Sequence, residues 1–129
     1  MLESDIYKGF QKKADKIKYD LVDFLVNGKK KGIQIVAYGA AAKGNTLLNY
    51  AGIKKDCINY VVDKSPYKQG KYMPGSHIPI VDEKQISMTK PDYILILPWN
   101  IKEEIIKQLS YVREWGCKFI VAIPQLEVI

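Results

Sequence analysis

An apolar, β-branched run that halts at a glycine and resumes as a helical pattern constrains this chain more than any other feature. Residues 33–53 read IQIVAYGAAAKGNTLLNYAGI. Residues 33–38 fit a buried strand, and the pattern turns helical from about Ala42 to Tyr50, with Gly52 as its stop. Between them lie Gly39, Ala40, Ala41, Ala42, Lys43 and Gly44. A strand feeding a helix through so short a glycine-bounded turn is the opening half of a βαβ unit.

The turn has the spacing G-x-A-x-x-G, a dinucleotide-binding turn with alanine in place of the second glycine. The outer glycines shape the turn and let helix pack on strand, while the middle one admits a pyrophosphate to the backbone. Gly39 and Gly44 keep the two structural roles, and Ala41 sets a methyl where the pyrophosphate would approach. Asp63, 19 residues beyond Gly44, stands where a ribose-binding acid is expected. A mononucleotide P-loop is a poorer match, because Asn45 replaces the phosphate-reaching lysine and Lys43 precedes the glycine. Two readings stay open: a tight turn without ligand, or an anion site at the helix N-terminus using free amides with Lys43, Asn45 or Thr46.

Around this unit, strands and helices alternate. The first 28 residues carry Ile6, Phe10, Ala14, Ile17, Leu21, Phe24 and Leu25 on one helical stripe. Ser4 or Asp5 is the expected cap, and Asn27 or Gly28 the left-handed stop. Further strands are expected at residues 57–63, 77–81, 91–99 and 117–124, with Pro79 favouring a sheet edge. A helical turn is expected at residues 82–88, and a helix at 100–115 capped by Asn100 and stopped by Gly116. This order predicts an α/β, Rossmann-like, doubly wound, mostly parallel sheet of about five strands ordered 3-2-1-4-5 with flanking helices. Residues 1–31 then form an N-terminal helix leading into a domain of residues 32–129.

Composition excludes several classes. The chain has 129 residues, enough for one ordinary domain. No apolar run approaches the roughly 18 residues of a membrane span, and MLESDIYKGF lacks the apolar centre of a signal peptide, so no membrane association and a cytoplasmic location are expected. Cys57 and Cys117 are far apart, and with the single His77 they make no zinc set. The net charge of +6 comes almost wholly from lysine, with Arg113 the one arginine. Base recognition draws on arginine forks, so no nucleic-acid partner is expected. The charge reads as a solvated surface, or as a complement to an anionic small ligand or acidic partner.

The strand ends gather the remaining candidates. The segment VVDKSPYKQGKYMPGSHIPI brings Lys64, Ser65, Tyr67, Lys68, Lys71, Tyr72 and His77 to the expected ligand face. It is either a plain surface loop or a cationic and aromatic wall suited to a nucleotide or sugar phosphate. His77 has no recognisable catalytic partner. Trp99, at the end of PDYILILPW, suits stacking on a sugar or base, or a place in a core or interface; Pro98 and Pro124 end their strands. No acid, base and nucleophile form one constellation, so no catalytic residue is assigned.

Four segments, YGAAAKGNTLLNYAGI, VVDKSPYKQGKYMPGSHIPI, PDYILILPWNIKEEI and KFIVAIPQLEVI, together resemble the C-terminal domain of S-adenosylmethionine-dependent sugar C-methyltransferases. The resemblance runs from about Ile17 to Ile129. It implies a nucleotide-sugar-binding domain whose partners are a zinc-binding domain and a methyl-donor domain that holds S-adenosylmethionine. Neither is expected in this chain, which would then bind no cofactor and be inactive alone. Matching the family's loops are Gly39, Ala40, Ala41, Lys43, Gly44 and Asn45, then Asp63, Lys64, Ser65, Tyr67, Lys68 and Gly70. Pro74, Gly75, His77, Pro98, Trp99 and Asn100 match further on. The amides of residues 41–45 and Lys43 are the leading phosphate candidates, with Ser65, Tyr67 and Lys68 next. The contrasting expectation is a non-enzymatic Rossmann nucleotide- or anion-binding module, and a third is a scaffold for an acidic partner.

Overall fold

The parallel sheet is built from very short strands, nearly all of whose residues are buried. The computed structural model describes residues 2–40, 42–123 and 126–129, with side chains from Lys13 onward except at positions 42 and 43. In chain order the elements are α1 (Leu2–Lys30), β1 (Ile35–Tyr38), α2 (Ala42–Ala51), β2 (Val61–Val62) and β3 (Ile80–Val81). Then come α3 (Lys84–Thr89), β4 (Tyr93–Ile96), α4 (Lys102–Gln108), β5 (Lys118–Val121) and β6 (Glu127–Val128). Short 3-10 turns at Trp99–Ile101 and Ser110–Trp115 flank α4.

The sheet order is β3-β2-β1-β4-β5-β6. The first five strands are parallel, in the expected order 3-2-1-4-5, with β3 at the edge. A sixth strand extends the expected sheet of about five: β6 runs antiparallel beside β5. Phe119 and Ile129 exchange backbone bonds of 3.0 and 2.7 Å, so the final residues return along the sheet. Two residues of strand carry too little periodicity to be read in sequence.

Period-2 alternation divides the core. Ile35, Ala37 and Leu95 face a cluster with Leu21 and Leu25 of α1 and Leu48 of α2. Val36, Tyr38, Ile94 and Ile96 face Ile86 of α3, Ile105 of α4, Leu109 and Val112. Helices therefore cover both faces, which is what continuous apolar strands require. The fold is Rossmann-like.

Several boundaries differ from the sequence expectation. Ser4 and Asp5 lie inside α1 rather than before it, and their side chains, with those of Ile6 and Phe10, fall outside the described residues. Asn27 and Gly28 stay helical. Gly28 is buried against Ile35, and the stop passes to Gly32, at φ +75°. There Ile33 N donates to Gly28 O (2.9 Å) and Gly32 N to Lys29 O (3.1 Å), the paired bonds of a left-handed helix end. Cys57 sits in a turn before β2, not in a strand. The helix expected at 100–115 is broken in three. Asn100 lies within a 3-10 turn, and Ile101 occupies the N-cap position of α4 without a side-chain cap bond. Pro124, expected to end the last parallel strand, lies outside the described residues.

Candidate functional site

The carboxyl ends of β1, β2 and β4 bring the glycine turn, the loop after Asp63 and the Pro98–Trp99 corner to one edge of the sheet. Parallel α/β sheets bind ligands at this edge, where the strand order reverses. Here the reversal falls between β1 and β4.

Gly39 has φ +98°, and a Cβ there would lie 2.6 Å from Pro98 Cδ. Both conformation and space demand glycine. Gly44, in the first turn of α2, would place a Cβ 2.6 Å from Leu97 Cβ. The two glycines thus perform the roles read from their spacing: one makes the turn, the other lets helix and strand approach. Ala41 and the Lys43 side chain lie outside the described residues.

Asp63 joins the two candidate loops. Its Oδ2 accepts from Ala40 N at 2.8 Å, and its Oδ1 accepts from Ser65 N at 2.8 Å. Lys68 Nζ donates to Ala40 O at 3.1 Å and stands 4.0 Å from Asp63 Oδ2. Gln69 Nε2 donates to the Asp63 carbonyl at 2.9 Å. A residue read as a ribose ligand therefore already serves two backbone amides in the folded chain. The Lys68–Asp63 ion pair is long and partly solvated, so it adds little stability alone. Its value is in placing a cation beside the glycine turn.

Farther along the loop, Asn49 of α2 donates through Nδ2 to Pro74 O at 3.0 Å. Gly75, at φ +84°, packs on the Asn49 carboxamide so tightly that a Cβ would collide with it. Ser76 is 2% exposed, and its Oγ has no hydrogen-bond partner. Asn45 Oδ1, one helical turn before Asn49, is likewise buried without a partner. Sequence reading passed over Asn49, Ser76 and Gln69. The i, i+4 spacing of Asn45 and Asn49 was the available signal for a polar face on α2.

The remaining candidates divide. Tyr67, 84% exposed, and Tyr72 stand open to solvent on the same loop. His77 is exposed at φ +59°, its backbone N donating to Met73 O at 3.0 Å, which makes it a turn residue by conformation. Trp99 is half-buried in the 3-10 turn after Pro98. Among the described residues, no group of three or more His, Cys, Asp and Glu is placed to hold a metal.

Behind the site, Gln108 Nε2 donates to Tyr38 Oη (2.9 Å) and to Glu83 Oε1 (2.6 Å). This ties α3 and α4 to the end of β1. Burial raises the Tyr38 phenol above its ordinary value, opposed by the Gln108 bond. Tyr111 is pushed up to about 12 by burial and by the neighbouring Glu83. A cleft of about 360 Å³ at the opposite, amino end of the sheet is lined by Lys29, Gln34, Asp56 and Cys57 and shares no lining residue with the glycine turn or the loop after Asp63.

Residues 1–124 match the C-methyltransferase C-terminal domain. The chain belongs to that family. C-methyltransferase NovU of Streptomyces niveus is 35% identical over 123 residues, covering 95% of this chain. The C-methyltransferase C-terminal domain described here spans 29% of the length of NovU. No helix among the described residues is long and apolar enough to cross a membrane.

Proposed function

We propose that this domain binds the nucleotide-linked sugar substrate of an S-adenosylmethionine-dependent sugar C-methyltransferase, acting in the cytoplasm. The methyl group comes from S-adenosylmethionine held on a methyl-donor domain, in the same full-length chain or a separate protein, and residues 1–129 by themselves are expected to transfer nothing. The diphosphate lies at the N-terminus of α2, where helix amides and dipole favour negative charge. Lys68 and Lys43 add positive charge, and Tyr67 and Trp99 offer faces to base or sugar. Asn45 and Ser65 line the same edge, whereas His77, just before β3, lies toward the amino end of the sheet.

The observation that carries this reading is the junction at Ala40. The loop bearing Lys68 is bonded to the glycine turn itself, through Ala40 N to Asp63 and Ala40 O from Lys68. Two loops so joined form one binding surface rather than two separate turns.

An amide-shift titration with thymidine diphosphate, adenosine nucleotides, NAD and S-adenosylmethionine tests it. Thymidine diphosphate is expected to move amides of residues 39–46 and 63–68. Saturation of those amides by NAD or S-adenosylmethionine, with none by thymidine diphosphate, overturns the reading in favour of a free-standing dinucleotide module.

A further inference from the structure

Asp63 serves the site by holding it rather than by touching the ligand. Its two carboxylate oxygens face two backbone amides, one local (Ser65 N) and one 23 residues away (Ala40 N). Both are charge-assisted bonds, stronger than their neutral counterparts. Ala40 is gripped on its other side as well, since its carbonyl accepts from Lys68. The residue that follows the Gly39 turn is thus held through both of its backbone polar groups by the second loop. Gly39, at φ +98°, lies against Pro98 and donates its amide to Val62 O at 2.7 Å. The Asp63–Ala40 bond extends that constraint to the residue that leads into α2.

We propose that Asp63 is a positioning residue: by fixing Ala40, it sets the aim of the amides at the start of α2 toward an anion, and so governs affinity without contacting it. This rests on the reading of that turn as an anion site. Groups that orient metal ligands from behind cost about 10–100-fold in affinity or activity when lost, and the lower end of that range is expected for the softer anion site here. Lys68 donates to the Ala40 carbonyl, and its partly exposed ammonium stands beside the turn where an anion would be held.

The discriminating substitution is Asp63→Asn. Asparagine keeps the size of aspartate but has one acceptor oxygen. The local bond to Ser65 N keeps that oxygen, because it closes a short Asx turn. Ala40 N then meets an NH2 group, donor against donor, and is released. The 129-residue chain is titrated with thymidine diphosphate by amide shifts, beside hydrogen exchange of residues 39–46 and the unfolding midpoint. The expected result is faster exchange at Ala40 and across 42–46, core amides such as Leu95 unchanged, and affinity lowered roughly tenfold. Unchanged affinity with Ala40 released overturns the proposal. If wild-type protein takes up no thymidine diphosphate, it is the binding reading that fails. Positioning is then judged by exchange alone, upheld if residues 42–46 loosen with Ala40 and refuted if Ala40 loosens by itself. Should Asp63→Asn not fold, Asp63→Glu carries the same comparison, keeping charge and both acceptors but displacing them by a methylene.

Discussion

Gly44 lies against Leu97 so closely that a Cβ on the helix would sit 2.6 Å from the Cβ at the strand end. Glycine to alanine inside a helix ordinarily stabilises by up to about 1 kcal/mol. Here the sign reverses, because the new methyl must push apart α2 and the buried end of β4, an overpacking cost of about 1–3 kcal/mol. Gly44→Ala is expected to lower the urea midpoint without changing the slope. A raised midpoint would show that the helix can withdraw freely from Leu97.

Gly39→Ala meets two separate obstacles, the positive φ and Pro98. Adding a Cβ at this φ costs about 1–2 kcal/mol whatever the surroundings. The contact with Pro98 Cδ adds to it. Pro98→Ala in the same chain should recover the contact share and leave the backbone share. A double-mutant cycle by denaturation measures the split. Full recovery would mean that backbone strain at 39 is negligible.

Arg113 fastens the sheet's last edge. Its Nη1 donates to Ile129 O at 3.0 Å, and the guanidinium lies 4.9 Å from the centre of the Phe119 ring. Arg113→Met keeps an apolar stem and removes the donors. The change should cost about 1 kcal/mol and speed amide exchange at Phe119 and Ile129, the two residues that exchange bonds across β5 and β6. Exchange that stays unchanged at both would show that β6 is held by its ladder alone.

Stability should fall on the alkaline side. Burial and Glu83 raise Tyr111 to about 12, and burial raises Cys117 to about 12. Tyr38 and Tyr60 are also raised, chiefly by burial. A group whose folded pKa lies above its unfolded value contributes fully below the unfolded value and loses that contribution as pH climbs toward the folded one. The Cys117 thiol therefore acts from about pH 9 and the Tyr111 phenol from about pH 10, both ending near 12, while Tyr38 and Tyr60 add to the loss above about pH 10. Urea midpoints should drop steadily across this window. A flat profile from pH 9 to 11.5 would contradict the burial of these groups.

The two thiols should react in a fixed order. Cys57 is half-buried in the turn before β2, whereas Cys117 is 1% exposed against the second core cluster. Burial raises both pKa values, Cys117 the further. Disulfide reagents at neutral pH should modify Cys57 first, with Cys117 following only as the chain opens. Equal rates would place Cys117 at the surface.

Parallel order was legible because each of its causes is local. Apolar runs at β1, β4 and β5 alternate with helical stripes, and right-handed crossovers then leave few arrangements. Gly39 and Gly44 were legible for the same reason, since their roles depend on spacing within one strand-turn-helix. Gly32 was not, because Asn27 and Gly28 offer equally good stops. The choice among them is made by Gly28 packing on Ile35. The broken helix at 100–115 was hidden because its apolar spacing continues through both 3-10 turns.

The amino-acid sequence by itself determined the class of the fold, the order of its parallel strands and the place of the glycine turn, because periodicity and backbone permissiveness are properties of neighbouring residues. Only the tertiary structure decided what Asp63 does. A carboxylate at the end of β2 could face a ligand or a neighbouring loop with identical local sequence. Ala40, 23 residues away, presents its amide 2.8 Å from that carboxylate only once β1 and β2 lie side by side.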